Sequence, residues 1–107
     1  MRQPMIDASK PEIEILPGTV HDDVRIEIFN NLQVLYATQA GELALDRDYG
    51  IDGLSVGYPQ EHAKALLTAE YVRKTQRYEP RARVAEVDWK TDSANGKITP
   101  KVVIELV

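Results

Sequence analysis

The acidic residues Glu42, Asp46, Asp48 and Asp52 crowd one glycine-containing stretch, and they have the spacing most open to chemistry. Hydrolysis of a glycosidic bond needs two carboxyl groups about 5–10 Å apart. One of them must sit in apolar surroundings that keep it protonated. Nothing in the neighbouring sequence supplies such a pocket, and carboxylates carried on loops are ordinarily solvated. His21 and His62 fall in a turn and on a polar helix face, and read as surface histidines rather than ligands. No nucleophile elbow occurs, and no glycine pattern that would cradle a phosphate. The chain has no cysteine, which excludes disulfides, zinc fingers and thiol catalysis. No cofactor, metal or small-molecule substrate is therefore expected.

The cations are more unevenly distributed than the acids. Residues 71–83 hold Arg73, Lys74, Arg77, Arg81 and Arg83 against Glu79 alone, a local charge of +4 in a chain whose net charge is −4. A basic knuckle on an acidic body could meet a phosphate backbone or an acidic protein patch. Tyr71 and Tyr78 would then be the stacking groups for a nucleic acid. The acidic remainder would repel such a partner, so nucleic-acid binding is not expected. The plain alternative is a solvated helix end, whose cations complement the negative pole of the helix dipole.

These residues need elements to position them. Ala63, Leu66, Leu67 and Val72 share one side of a 3.6-residue wheel, with Glu61, Lys64, Glu70 and Arg73 opposite, so a helix is expected from Pro59 to Tyr78. Pro59 suits a first helical position. Pro80 forces a turn at Tyr78-Glu79-Pro80-Arg81. Residues 83–90 then alternate with period two, and Asn95-Gly96 marks a hairpin to a return strand from Lys97 to Val107. That strand carries Ile98, Val102, Ile104 and Leu106 on one face, and Thr99, Lys101, Val103 and Glu105 on the other. It runs to the last residue, so it reads as an exposed sheet edge.

Upstream, residues 1–11 are polar with two prolines and read as a flexible arm. Glu12 to Leu16 alternates between Pro11 and Pro17, as a short edge strand would. Val24 to Tyr36 fits either period, and its length together with Asp22-Asp23 favours a helix. Ala37 to Tyr58 is a long connection, which is either functional or holds a short turn of helix near Ile51 to Val56. With 107 residues, 43% of them hydrophobic, one small domain is expected. No apolar run reaches the ~20 residues that span a bilayer, and no signal-peptide core follows Met1-Arg2-Gln3-Pro4. The expected architecture is α+β: two main helices packed on a small antiparallel sheet with a C-terminal β-hairpin.

Three stretches, in order, resemble one family. Leu35 to Glu42, with Thr38, Gly41 and Glu42, is similar to that family's helix end. Asp48-Tyr49-Gly50 is similar to its Tyr-Gly loop, and Tyr78-Glu79-Pro80-Arg81 to its Glu-Pro-Arg signature between a helix and a strand. The family is the gene-25-like baseplate wedge proteins of contractile-tailed phages, often labelled tail lysozyme-like. It includes the matching subunit of type VI secretion and related injection systems. The resemblance covers residues 24–107. Members usually carry Arg and Pro before Tyr-Gly, where this chain has Leu43 to Asp48, and the Ile13 to Leu16 strand lies outside the family's core pattern.

The resemblance implies a structural, non-enzymatic role. It places the chain in a virion tail baseplate, or in the cytoplasm of a bacterium that builds such a machine. The implied partners are other baseplate wedge subunits and the tail sheath protein, whose termini would pair onto the small sheet. Protein-binding candidates are Glu79, Pro80 and Arg81, with Arg77, Arg83, Tyr49, Val103 and Glu105. Against docking, Glu79 and Arg81 could simply tie the helix end to the loop that holds Tyr49. Two other functions stay open. One is a peptidoglycan hydrolase, as the lysozyme-like label suggests. The other is a regulatory module like the anti-adaptor that protects a stationary-phase sigma factor, which is similar in fold.

Overall fold

The computed structural model describes residues 5–8, 11–52, 60–92 and 94–107. The elements run β1 (Met5–Ile6), β2 (Glu12–Ile15), α1 (Asp22–Ala37), α2 (Gln60–Tyr78), β3 (Ala82–Asp92) and β4 (Lys97–Leu106). The α+β architecture and the C-terminal hairpin are as expected. The wholly antiparallel sheet is not. β3 pairs antiparallel with β4, but β1 and β2 pair with β4 in parallel, so the sheet is mixed.

Local chemistry explains several of these boundaries. His21 caps α1, its Nδ1 accepting from the Asp23 amide at 3.2 Å, and Asp22 and Asp23 occupy the positive first turn. α1 ends at Thr38, whose hydroxyl donates back to the Val34 carbonyl. The hairpin turn is held by the Asp92 carboxylate, which accepts from the Ala94 and Asn95 amides, and Gly96 takes a φ of +64°. The described part of α2 starts at Gln60, so Pro59 lies outside the described residues, as do residues 53–56 of the expected turn. Its other end, the strand after it and the hairpin fall where the sequence puts them.

Two expectations about the N-terminal segment and the last strand are overturned together. Residues 5–8 are not a loose arm. Met5 and Ile6 pair with Lys97 and Ile98, the Asp7 amide donates to the Ile98 carbonyl at 2.8 Å, and Ala8 is buried. β2 then pairs along Lys101 to Ile104. Consequently β4 is the sheet's central strand, not its edge. Pro100 lies between the β1-paired and β2-paired stretches, where the missing N–H interrupts no ladder bond.

Both helices cover one face of the sheet. Ile28, Leu32 and Leu35 of α1 meet Leu67 and Tyr71 of α2 over Val102 and Ile104, with Ile13, Ile15, Val84, Val87 and Trp89 packed around them. Burial of each large aliphatic side chain contributes roughly 1.5–3 kcal/mol. The inward side of α2 differs from the expected one: Leu66 and Val72 are exposed, while Tyr71, Lys74 and Thr75 are buried. The opposite sheet face is a lattice of charges, with Lys90 on Glu12, Lys101 on Glu14 and Arg83 on Glu105. Ala85 is an extra residue between the Val84 and Glu86 pairings, a bulge that shifts the register of β3.

Candidate functional site

The corner between α2 and β3 is built by backbone bonds before any side chain is considered. The Glu79 amide donates to the Thr75 carbonyl at 2.8 Å, continuing the helical pattern one residue past Tyr78. The Ala82 amide closes the turn on the Glu79 carbonyl at 2.9 Å. Pro80 stands exposed at the tip. The Val107 amide donates to the Arg81 carbonyl at 2.9 Å, which ties the corner to the end of the hairpin.

Within this frame Glu79 points inward and Arg81 turns back onto it. The Arg81 guanidinium donates from Nε at 2.7 Å and from Nη2 at 2.9 Å to the two carboxylate oxygens. Asn31 of α1 adds a third donor at 3.0 Å. Arg81 Nη1 also reaches Glu27 of α1 at 3.4 Å. The Glu79 side chain is buried and that of Arg81 is 44% exposed. The guanidinium of Arg81, and then the Asn31 amide, hold the Glu79 carboxyl below its ordinary range, and the same contact raises Arg81. The alternative reading, a tie between this motif and the Tyr49 loop, is therefore corrected. The motif fastens the corner to α1.

The Tyr49 loop is held by α2 instead. Tyr49 packs edge-on against Tyr78, with centroids 5.0 Å apart, and the Tyr78 hydroxyl donates to Asp46 at 2.9 Å. Lys74, 1% exposed, bonds both the carbonyl and the carboxylate of Asp48 and lies 3.4 Å from Glu70. Arg77 reaches Asp48 at 3.0 Å, and Arg73 reaches Glu70 at 3.1 Å. Glu70 also accepts from the Asp52 amide. The loop closes on itself through Gln39 and Ile51, and Gly50, at φ +105°, presses against the Thr38 carbonyl.

Each cation of the basic segment thus has an acidic partner within the chain: Arg73, Lys74 and Arg77 with Asp48 or Glu70, Arg81 with Glu79, and Arg83 with Glu105 at 2.6 Å. The expected basic knuckle is a neutralised framework, which is a poor footprint for a phosphate backbone. Asp48 is poorly placed to act as a proton donor. Asp48 is pulled below its ordinary range by Lys74, and then by Arg77 and Arg73, the opposite of what a proton donor needs. Among the described residues no group of His, Asp and Glu is placed to hold a metal ion, and no helix is long and apolar enough to cross a membrane.

The candidate residues therefore divide. Glu79, Pro80 and Arg81 form one corner, while Tyr49 and Arg77 belong to the loop clasp beside it. Val103 and Glu105 belong to neither. Val103 is buried between Glu14 of β2 and Glu86 of β3, so it cannot offer an edge to an incoming strand. Glu105 pairs with Arg83 on the sheet's outer face. Two participants in the corner were not foreseen, Asn31 and Glu27. They lie four residues apart on α1, a polar pair at helical spacing that could have flagged a partner across the fold. No protein-family model, curated protein or solved structure matches the chain.

Proposed function

We propose that this chain is a non-enzymatic structural subunit, a baseplate wedge and sheath initiator of a contractile phage tail or related injection machine. The reading rests on the ordered series Thr38/Gly41/Glu42, Tyr49/Gly50 and Glu79/Pro80/Arg81. The observation that carries it furthest is the Glu79–Pro80–Arg81 corner. Its guanidinium is fixed at two points by a buried carboxylate yet remains 44% exposed. An arginine held this way loses little side-chain entropy on meeting a carboxylate of a neighbouring wedge subunit. Sheath strands have an accessible edge to join: among the described residues β3 pairs with β4 alone, leaving its other side for strand addition.

Baseplates assembled with Arg81→Ala test the corner. The expected result is failure to nucleate sheath, with Arg81→Lys only partly restoring it because a lysine cannot reproduce the fork. Normal sheath polymerisation on Arg81→Ala baseplates would remove the docking role. A peptidoglycan-release assay separates the hydrolase reading, which predicts turnover that is lost in Glu42→Gln. Gene neighbourhood separates the regulator: sheath, tube and spike genes alongside support a baseplate subunit, and an isolated gene supports the regulatory module.

A further inference from the structure

The side of β4 that faces away from β3 is filled by a segment with few anchors. β2 contributes four paired residues and β1 two, both in parallel pairing, which is the weaker kind per residue. Ile13 and Ile15 are only partly buried, and Glu12 and Glu14 are exposed. What they cover is more deeply buried than they are: Val102 and Ile104 have no exposed surface. The Leu16 amide donates to the Ile104 carbonyl at 2.8 Å, which fixes the ladder's phase, so that Val102 and Ile104 offer their backbone groups to this side. The pairing is specific in charge as well as shape. Glu12 lies 2.7 Å from Lys90, and Glu14 lies 3.2 Å from Lys101.

Beside these two ion pairs, a side chain of α1 also ties the segment down. Arg25 of α1 donates to the Ile15 carbonyl at 3.1 Å and to the Leu16 carbonyl at 3.0 Å. An open groove of about 560 Å³ runs beside the strand, lined by residues that include Ile13, Ile15, Arg25, Ile26 and Phe29. The strand's outer flank is therefore open along this groove, and its ties to α1 run through Arg25 and the packing of Ile13 and Ile15 on the core.

We propose that β2 is a built-in occupant of a strand-acceptor site on β4, which in the released state takes an extended partner segment alternating acidic with branched aliphatic residues. The acids meet Lys90 and Lys101, and the aliphatic residues cover Val102 and Ile104. Arg25 sets how often the site is free. This acceptor is separate from the outer edge of β3 and stands whether or not the chain serves in a baseplate.

The test uses the full chain and a fluorescent peptide of residues 11–16, Pro-Glu-Ile-Glu-Ile-Leu, followed by anisotropy. Apparent affinity scales with the fraction of molecules whose site is open, so Arg25→Ala should bind the peptide at least about tenfold more tightly than wild type. The double variant Glu12→Lys/Glu14→Lys repels its own β2 from Lys90 and Lys101 and should gain affinity likewise, with both substitutions at exposed positions. Adding Lys101→Glu to either background should abolish the gain, and a peptide with its Glu and Ile positions exchanged should not bind. Circular dichroism and Trp89 fluorescence report that each variant is folded. Equal binding by wild type and a folded loosened variant would overturn the proposal. So would a strand-swapped dimer with no peptide uptake, which would assign the site to a second copy.

Discussion

Glu79 and Arg81 face each other across Pro80 in a two-point contact, with Nε–Oε1 at 2.7 Å and Nη2–Oε2 at 2.9 Å. Removing the guanidinium leaves the buried carboxylate with Asn31 as its remaining side-chain donor. A buried acceptor that loses partners costs about 1–3 kcal/mol. Arg81→Ala should therefore lower the midpoint of thermal unfolding by roughly 4–8 °C per kcal/mol lost. Asn31→Ala, which removes one donor and leaves the fork, should cost less. Differential scanning calorimetry of the two variants checks the order.

The two buried tyrosines should respond oppositely to loss of a hydroxyl. Tyr36 and Tyr71 pack edge to face with centroids 5.0 Å apart. The Tyr36 hydroxyl is bonded to Thr75, whereas that of Tyr71 is buried without a partner among the described residues. Tyr36→Phe strands Thr75 and should destabilise by about 1 kcal/mol. Tyr71→Phe removes an unsatisfied polar atom and should be neutral or stabilising. Urea unfolding midpoints of both variants decide this.

Gly50 and Gly41 both have positive φ, yet alanine should be tolerated very differently. A Cβ on Gly50 would meet the Thr38 carbonyl oxygen at 2.5 Å, and one on Gly41 would meet nothing within 4 Å among the described residues. Gly41→Ala should cost about 1–2 kcal/mol from backbone conformation alone. Gly50→Ala adds a steric clash with backbone and should cost about 3 kcal/mol or more. Amide exchange at Ile51, whose N–H bonds the Thr38 carbonyl at 2.8 Å, should be faster in Gly50→Ala than in Gly41→Ala.

Acid should weaken the fold at the corner and at the loop clasp. Arg81 depresses Glu79 from an ordinary value of 4.5, and Lys74 depresses Asp48 from 3.8. A carboxyl whose folded value lies below its unfolded value contributes stability above the unfolded value and loses it as pH falls towards the folded one. The urea midpoint should hold from pH 7 to about 5 and decline below that. Glu79→Gln, with no proton to take up, should show a shallower decline between about pH 5 and 3.

What was legible in the sequence was local. Pro80 stops a helix wherever it occurs, Asn95-Gly96 turns a hairpin, and the alternation in β3 requires no knowledge of the rest of the chain. The inward face of α2 was misjudged because hydrophobicity ranks Leu66 and Val72 above Lys74. Lys74 is buried only because a loop 26 residues upstream brings Asp48 to it. The final strand was misplaced for a similar reason. Whether a strand lies at an edge depends on who pairs with it, and Glu12 to Ile15 carries no mark of a parallel partner at Lys101 to Ile104. Of the site, the corner residues were named, but their attachment was not. Nothing near Glu79 in the sequence points to Asn31, 48 residues away.

The central position of β4 also sets a timetable for synthesis. Met5 waits for Lys97, and Glu12 for Lys101, before either can join a sheet. Until β4 clears the ribosome, the apolar sides of β2 and β3 have nothing to pair with, and the helices have no platform to pack on. Before that point the described residues from 5 to 92 can exist only as helices and loose extended segments, a stage at which a chaperone that shields alternating strands would have the most to do.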